Sequence, residues 1–358
     1  MTIRKIKTMK GINYVVDLYT DGRTGRRIRR RFSKKIDAQQ FLDNYTAEVQ
    51  SFKKTGQSTK LLEEVTYQEE ADFWLESMRS HFSASHLKRV EGILKQQLPR
   101  FGRLSLDRLD SAFLAHYQNE LKGQKQSNAT INLKTDVLTA VFNHSVRHRR
   151  IPYSPAAGFR KLPVQREEMV FWEKNEVSHF LSFTSKLYPV NDPKRWVYVL
   201  YLTALNTGLR AGELWGLRAE DIVESGETLF IRRQFNLVTR KFDLLKGKRR
   251  SKSGKLSRHV PCNRELEREL RFLIAKNRIK KHETIFQNQV RGPIDHNRFQ
   301  KTFKDDLKAW AGRSLRFHDL RHTAITQMIA AGIDLKTVQA IAGHEDIKTT
   351  MNYVHLVG

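Results

Sequence analysis

Residues 318–323 read His318-Asp319-Leu320-Arg321-His322-Thr323, and three further islands stand in order around them. Upstream lies Thr207-Gly208-Leu209-Arg210-Ala211-Gly212-Glu213-Leu214, then Ser251-Lys252-Ser253-Gly254 shortly before Arg258-His259-Val260-Pro261. Downstream comes Gly343-His344, followed nine residues later by Tyr353. Each island alone has an ordinary reading. Arg210 and Glu213, at i,i+3 spacing, suit a helix-surface ion pair worth about 0.2–0.5 kcal/mol. Lys252 sits among so many lysines that a solvated loop accounts for it, and a lone Tyr353 reads as a packing residue. His318 and His322 have the i,i+4 spacing of metal ligands. The glutamate of an HExxH helix is absent, however, and Arg321 on the face of His318 repels a divalent ion, so no metal is expected.

The chain around these islands has 358 residues, with 65 Lys+Arg against 38 Asp+Glu, a net charge of +27 and a pI near 10.2. Such an excess is a statement about partners, and polyphosphate is the commonest one, although ribosomal and membrane-surface proteins are equally basic. An apolar share of 39% with 10% aromatics argues against a disordered cationic tail. Mean hydropathy is −0.58, and no run approaches the roughly 20 apolar residues of a membrane span. The opening Met1-Thr2-Ile3-Arg4-Lys5 lacks the apolar core of a signal peptide. Cys262, the single cysteine, excludes a disulfide framework and a cysteine-rich zinc module. A reducing, cytoplasmic setting is expected.

Charge is densest at the N-terminus, where residues 1–60 hold 15 Lys/Arg and 5 Asp/Glu. Tyr14–Tyr19 is rich in β-branched and aromatic residues, and Asp21-Gly22 signals a hairpin turn. Arg26–Phe32 supplies a second strand with five arginines in its first six positions, among them Arg27, Arg29, Arg30 and Arg31. From Lys35 to Val49 the spacing of Ile36, Phe41 and Tyr45 predicts a helix packed on that sheet. An arginine-bearing ribbon can lie in a DNA groove, held by phosphates; a solvated basic edge strand needs fewer arginines.

Residues 51–64 read as a polar linker. Thr66 with Glu69 makes a capping box ahead of Phe73, Trp74 and Met78. Leu109, Phe113, Tyr117 and Leu121 recur every four residues, as do Leu133, Val137 and Val141, so 65–150 reads as all-helical. Pro152 and Pro155 end it, and 156–168 reads as a second linker. Beyond Trp172 the types mix. Val197–Leu205 is an apolar helix ended by Gly208, strands fall at 228–232 and 256–260, and short helices punctuated by Gly332 and Gly343 follow from Phe299.

Together the islands resemble one family, the tyrosine recombinases or phage-type integrases, whose pattern runs Arg, Lys, His-x-x-Arg, His or Trp, Tyr. Arg210, Lys252, His318, Arg321, His344 and Tyr353 meet it in that order. The resemblance covers 165–358 strongly and 65–160 more faintly. It implies a multidomain α+β protein: an arm-type DNA-binding domain of small sheet plus helix (1–60), an all-α, SAM-like core-binding domain (65–160), and a mainly helical catalytic domain with a small β-hairpin (165–358).

The family's chemistry stores the energy of a cut DNA strand in a bond from a tyrosine oxygen to the 3′-phosphate, freeing a 5′-hydroxyl. By resemblance Tyr353 is the nucleophile. Arg210 and Arg321 hold the charged phosphate oxygens as planar forks, with His344 as a further donor. Lys252 protonates the leaving 5′-oxygen, and His318 serves proton transfer at the tyrosine or donates to phosphate. Glu213 buttresses Arg210. The lysine assignment has rivals in Arg232, Arg233, Lys246, Lys248, Arg249 and Arg250, and Lys252 is chosen because Ser-Lys-Ser-Gly precedes the strand ending in Val260-Pro261. No cofactor and no metal are implied. The implied partners are duplex attachment sites of core and arm type, a homotetramer formed on DNA, and DNA-bending or directionality proteins, in the nucleoid of a bacterial host. The alternatives are a type IB-like topoisomerase and a catalytically silent DNA-binding protein.

Overall fold

The computed structural model describes residues 2–8, 11–19, 27–55, 65–148, 150–151, 154–165, 168–223, 227–243, 245, 257–288 and 291–357. It divides into two compact units, Met1–Arg166 and Glu167–Gly358.

The first unit begins with an antiparallel sheet in the order β1 (Thr2–Thr8), β2 (Gly11–Tyr19), β3 (Arg27–Phe32). Sequence reading supplies only the last two strands. In β1 the apolar residues Ile3 and Ile6 lie three apart, which breaks the alternation that marks a strand. Helix α1 (Lys35–Thr55) runs past the expected Val49 into the expected linker, since 50–55 holds neither Gly nor Pro. Ile36 does not pack on the sheet; it is 71% exposed. The packed stripe is Ala38, Phe41, Leu42 and Tyr45, at i, i+3, i+4 and i+7, against Val16 and Phe32.

The arginines of β3 divide between environments. Arg30 lies opposite Val16, half-buried, with its guanidinium 5.7 Å from the centre of the Phe41 ring, on the side that α1 covers. Arg31 is exposed opposite Val15, and the register sets Arg27 opposite Tyr19 and Arg29 opposite Asp17. The expected Asp21-Gly22 turn lies outside the described residues.

The rest of this unit is helical, with α2 (Tyr67–Met78), α3 (Ala84–Phe101), α4 (Ser111–Gly123) and α5 (Asn128–Arg147). The Thr66 capping box is present: Glu69 N–H donates to Thr66 Oγ1 (3.3 Å) and Thr66 N–H to Glu69 Oε2 (3.0 Å). Trp74, Phe101, Tyr117, Leu121, Val137 and Val141 pack in one core, separate from the Val16 cluster.

In the second unit, α6 (Lys174–Leu187), α7 (Arg195–Thr207) and α8 (Ala211–Gly216) precede a strand pair of β4 (Thr228–Ile231) with β7 (Arg258–Pro261). Between them lies a further small hairpin, β5 (Gln234–Asn236) with β6 (Lys241–Asp243), whose strands the sequence reading does not place; three residues each, they are too short and polar to show a period. Then come α9 (Arg264–Lys276), α10 (His296–Trp310), α11 (Asp319–Ala330), α12 (Leu335–Ala342) and α13 (Ile347–Met351). Helix α7 is apolar on all sides and forms the centre, with buried Val197–Leu205 touching Phe180, Phe299 and Phe303. Among the described residues no helix is long and apolar enough to cross a membrane.

Candidate active site

Gly208 ends α7 in the left-handed backbone (φ +62°) that closes a helix without a Cβ clash. Its carbonyl accepts a hydrogen bond from Arg321 Nη1 at 2.6 Å. Arg210 follows as the extended residue before α8, and Glu213 folds back on it: the Arg210 N–H donates to Oε2 (2.9 Å) and Nη1 to Oε1 (3.2 Å). Arg258, from β7, approaches the same carboxylate with a fork, Nη1 to Oε1 at 2.9 Å and Nη2 to Oε2 at 2.7 Å. Glu213 is 1% exposed. The i,i+3 pair is therefore no surface ion pair but a buried carboxylate shared by two arginines.

The second convergence is on the end of α12. Gly343 is again left-handed (φ +66°), and three successive carbonyls receive three guanidinium groups. Ile341 O accepts from Arg258 Nε (2.8 Å), Ala342 O from Arg321 Nη2 (2.7 Å) and Gly343 O from Arg210 Nη2 (2.9 Å). The partial negative charge at a helix C-terminus favours this gathering of cations. A Cβ on Gly343 would stand 3.0 Å from the Arg258 guanidinium, so the close approach requires glycine. Arg210 and Arg321 each spend two of their five N–H groups on these structural bonds, and the others remain as donors for an anion.

Tyr353, just past α13, is 3% exposed and packs with Ile325, Val338 and Ala342. Its ring stacks with that of His344 (centroids 6.1 Å apart, planes at 17°), and its Oη lies 2.7 Å from His322 Nδ1. His344 Nδ1 lies 2.9 Å from the buried Thr350 Oγ1. With that hydroxyl donating, Nε2 carries the ring proton and is the donor toward a phosphate. His318 precedes α11, keeps solvent access, and meets His322 edge-on at 5.2 Å. The structure thus brings Arg210, Glu213, Arg321, His318, His344 and Tyr353 into one site. Lys252 lies outside the described residues.

The charges are tuned by burial. Desolvation, with Arg210 beside it, pushes Arg321 down to about 10, which leaves it cationic at neutral pH. Desolvation and neighbouring cations push His318 and His344 down to about 4, so both are neutral donors or acceptors there. Burial raises the Tyr353 phenol while Arg321 and Arg210 pull it back. Burial alone would raise the Glu213 carboxyl, but the Arg258 fork and Arg210 outweigh it and hold it below the ordinary range. Among the described residues no three His, Cys, Asp or Glu gather as a metal site would need.

Two members of this site have no role in the sequence reading. Arg258 meets Glu213 across 45 positions, beyond the reach of any local spacing, and its only signal is a buried acid that needs a second cation. His322 enters the sequence reading only as a metal ligand, although its i,i+4 offset from His318 already places the two rings together.

Replacing Glu213 with Gln is expected to destabilise the fold by about 3 kcal/mol, because removing one partner of a buried ion pair leaves the other charge uncompensated. The folded-state pKa is depressed, so this contribution is fully present above the ordinary carboxylate range and is lost as pH falls through the depressed value. Denaturant unfolding of both proteins from pH 7 downward checks it; a constant difference at every pH would contradict the ionic origin.

The phage integrase family profile matches residues 171–357, which takes in every residue of this site. A tyrosine recombinase XerC-like protein of Caldanaerobacter subterraneus subsp. tengcongensis is 27% identical over 269 residues, 70% of this chain and 68% of its own length. The ICEBs1 integrase of Bacillus subtilis is 23% identical over 265 residues, 72% of this chain and 69% of its own. Among solved structures, the Tn1549 transposon integrase in complex with a circular intermediate DNA shares the fold, with a TM-score of 0.65 at 23% identity over 81% of this chain and 95% of that one. With the family's span covering the arginine cradle and its tyrosine, this chain belongs to the phage integrase family of tyrosine recombinases.

Proposed function

We propose that the chain is the site-specific recombinase of a bacterial mobile element, cutting and rejoining duplex DNA through a 3′-phosphotyrosyl intermediate. The observation that carries this reading is the fixing of Arg210 and Arg321 on successive carbonyls beside the buried Tyr353 phenol. Tyr353 Oη attacks the scissile phosphorus, and its proton leaves as the P–O5′ bond breaks. Arg210 and Arg321 hold the non-bridging oxygens, and because structural bonds already orient them, little reorganisation accompanies the reaction. His344 donates from Nε2, and His318 stands at the mouth of the site as a second neutral donor. Glu213 and Arg258 act through Arg210 by holding it in place. Lys252 is the proposed acid for the departing 5′-oxygen, on resemblance alone.

Four protomers on two duplexes would exchange strands in pairs through a Holliday junction, in the cytoplasm at the nucleoid, with DNA-bending or directionality proteins as accessories. Residues 65–160 and 165–358 hold the core site. Residues 1–60 read separate arm sites, a role supported by their charge and by exposed Arg31. A relative named as an integrase and a structural neighbour named as a transposon integrase support a mobile-element origin.

The test uses a duplex carrying the end of the element that encodes the chain, nicked so that the cleaved strand diffuses away. A covalent protein–DNA adduct is expected, undiminished by excess EDTA, because the arginines supply the charge a metal supplies elsewhere. Deleting residues 1–60 is expected to leave this adduct intact and to abolish joining of full-length sites. Absence of an adduct with the intact chain refutes the proposal, and loss on chelation restored by Mg²⁺ or Zn²⁺ refutes its metal-free form.

A further inference from the structure

Resting on the reading above, we infer that His322, not His318, is the base that takes the proton of Tyr353 during cleavage. The phenol oxygen lies 2.7 Å from His322 Nδ1, the one side-chain hydrogen bond that Tyr353 makes among the described residues. Geometry of this kind is the first requirement of a general base, ahead of its acidity. The rings are tilted by 38° with centroids 5.6 Å apart, so the two side chains are not stacked and their polar atoms are what meet.

The direction of that bond follows from the protonation states. Burial raises the phenol's pKa, so Oη carries its hydrogen at neutral pH. Burial, with Arg321 and Arg316 adding to it, lowers that of His322 although Asp319 opposes them, so the imidazole is neutral and has a lone pair to offer. The O–H therefore donates and Nδ1 accepts. His318 has the same neutrality but different geometry, since its ring reaches the edge of His322 and not the phenol. Helix α11 fixes the offset. Arg321 is tied through both terminal nitrogens, and His322 follows it directly in the chain, so base and arginine share one rigid element.

The step balances without a co-reactant. Oη forms its bond to phosphorus as its hydrogen passes to Nδ1, giving an imidazolium, while the P–O5′ electron pair leaves with the 5′-oxygen and is protonated by the separate acid. In rejoining, the 5′-hydroxyl attacks and returns its proton to that deprotonated acid, while the phenolate departs and takes its hydrogen back from Nδ1. A phenol is a weak nucleophile at neutral pH, and an adjacent base is the usual remedy.

His322→Asn tests this, because the amide oxygen sits near the place of Nδ1 and accepts the same hydrogen bond but has no basic nitrogen. On the nicked duplex, adduct formation is expected to slow about 10²–10⁴-fold with DNA affinity retained. The second measurement uses DNA ending in a 3′-(p-nitrophenyl) phosphate, offered with a 5′-hydroxyl strand to Tyr353→Phe and to Tyr353→Phe/His322→Asn. Nitrophenolate departs with its negative charge and needs no proton, so the two should release it within about threefold of each other. A His322→Asn protein that cleaves at nearly the intact rate overturns the proposal. So does a double variant whose nitrophenol release falls by the same factor as cleavage, which marks a merely structural role. If the unmodified chain makes no adduct at all, the recombinase reading fails first, and the two failures are told apart by that control.

Discussion

Tyr353→Phe is expected to bind its DNA site as tightly as the unaltered chain and to form no covalent adduct. The aromatic ring is what packs against Ile325, Val338 and Ala342 and stacks with His344, and phenylalanine keeps all of that surface. Only the hydroxyl goes, which leaves His322 Nδ1 without its partner at a cost of about 1 kcal/mol. Such a loss shifts a melting midpoint by a few degrees and leaves the three arginines on their carbonyls. The nucleophilic oxygen, by contrast, has no substitute: its removal takes away the bond-forming atom, so the rate falls by the whole catalytic factor. Gel retardation beside denaturing electrophoresis on the nicked duplex separates the two properties. A trapped adduct with the Phe protein would place the nucleophile elsewhere, and lost affinity would mean that the ring organises the DNA surface.

Much of this site is legible in the sequence because its chemistry tolerates few residue types. Arg210, His318, Arg321, His344 and Tyr353 can be picked out by order and flanking residues, and the glycines that close α7 and α12 are visible as Gly208 and Gly343. The cradle that makes them work is not legible. Three guanidinium groups meeting three successive carbonyls depends on the left-handed turn at Gly343 and on the β4–β7 pairing that carries Arg258 across. Neither produces a periodic signal: a single left-handed residue has no period, and Arg258 and Arg210 reach the end of α12 from 83 and 133 positions away. The fold shows the same division. Capping at Thr66 and the apolar run of α7 are local and readable, whereas β1 and the β5–β6 hairpin depend on partner strands to complete their hydrogen bonds. Ile36 illustrates the converse error: an apolar residue two positions ahead of Ala38 looks like part of the stripe until the helix is phased by Ala38 and Tyr45, which turns it to the exposed side.

Arg321→Lys is expected to lower cleavage about 10²–10³-fold near neutral pH, the range seen when one preorganised donor to a developing oxyanion is removed. Charge alone does not explain Arg321. Its two terminal nitrogens reach Gly208 O and Ala342 O, on different elements, and the residue is 4% exposed. A lysine carries its donors on one nitrogen and lacks the fork that spans both carbonyls, and a carbonyl left buried without a donor costs about 1–3 kcal/mol. It also lacks the planar fork that matches two phosphate oxygens. The protonation state adds a second penalty. Burial and Arg210 already draw the guanidinium down to about 10, and it stays charged only because arginine starts so high. Lysine starts lower and meets the same burial and the same neighbouring cation, so it falls towards the working pH and is partly neutral there. The sign follows: acidification restores its charge, so the ratio of intact to variant cleavage rates should shrink as pH is lowered from about 8.5 to 6.5. Single-turnover cleavage across that range, with each rate referred to the intact chain at the same pH, isolates the effect from titration of other groups. A ratio independent of pH would leave the fork geometry as the whole cause. A variant within tenfold of the intact chain would mean that Arg321 holds α7 to α12 without touching the reacting phosphate.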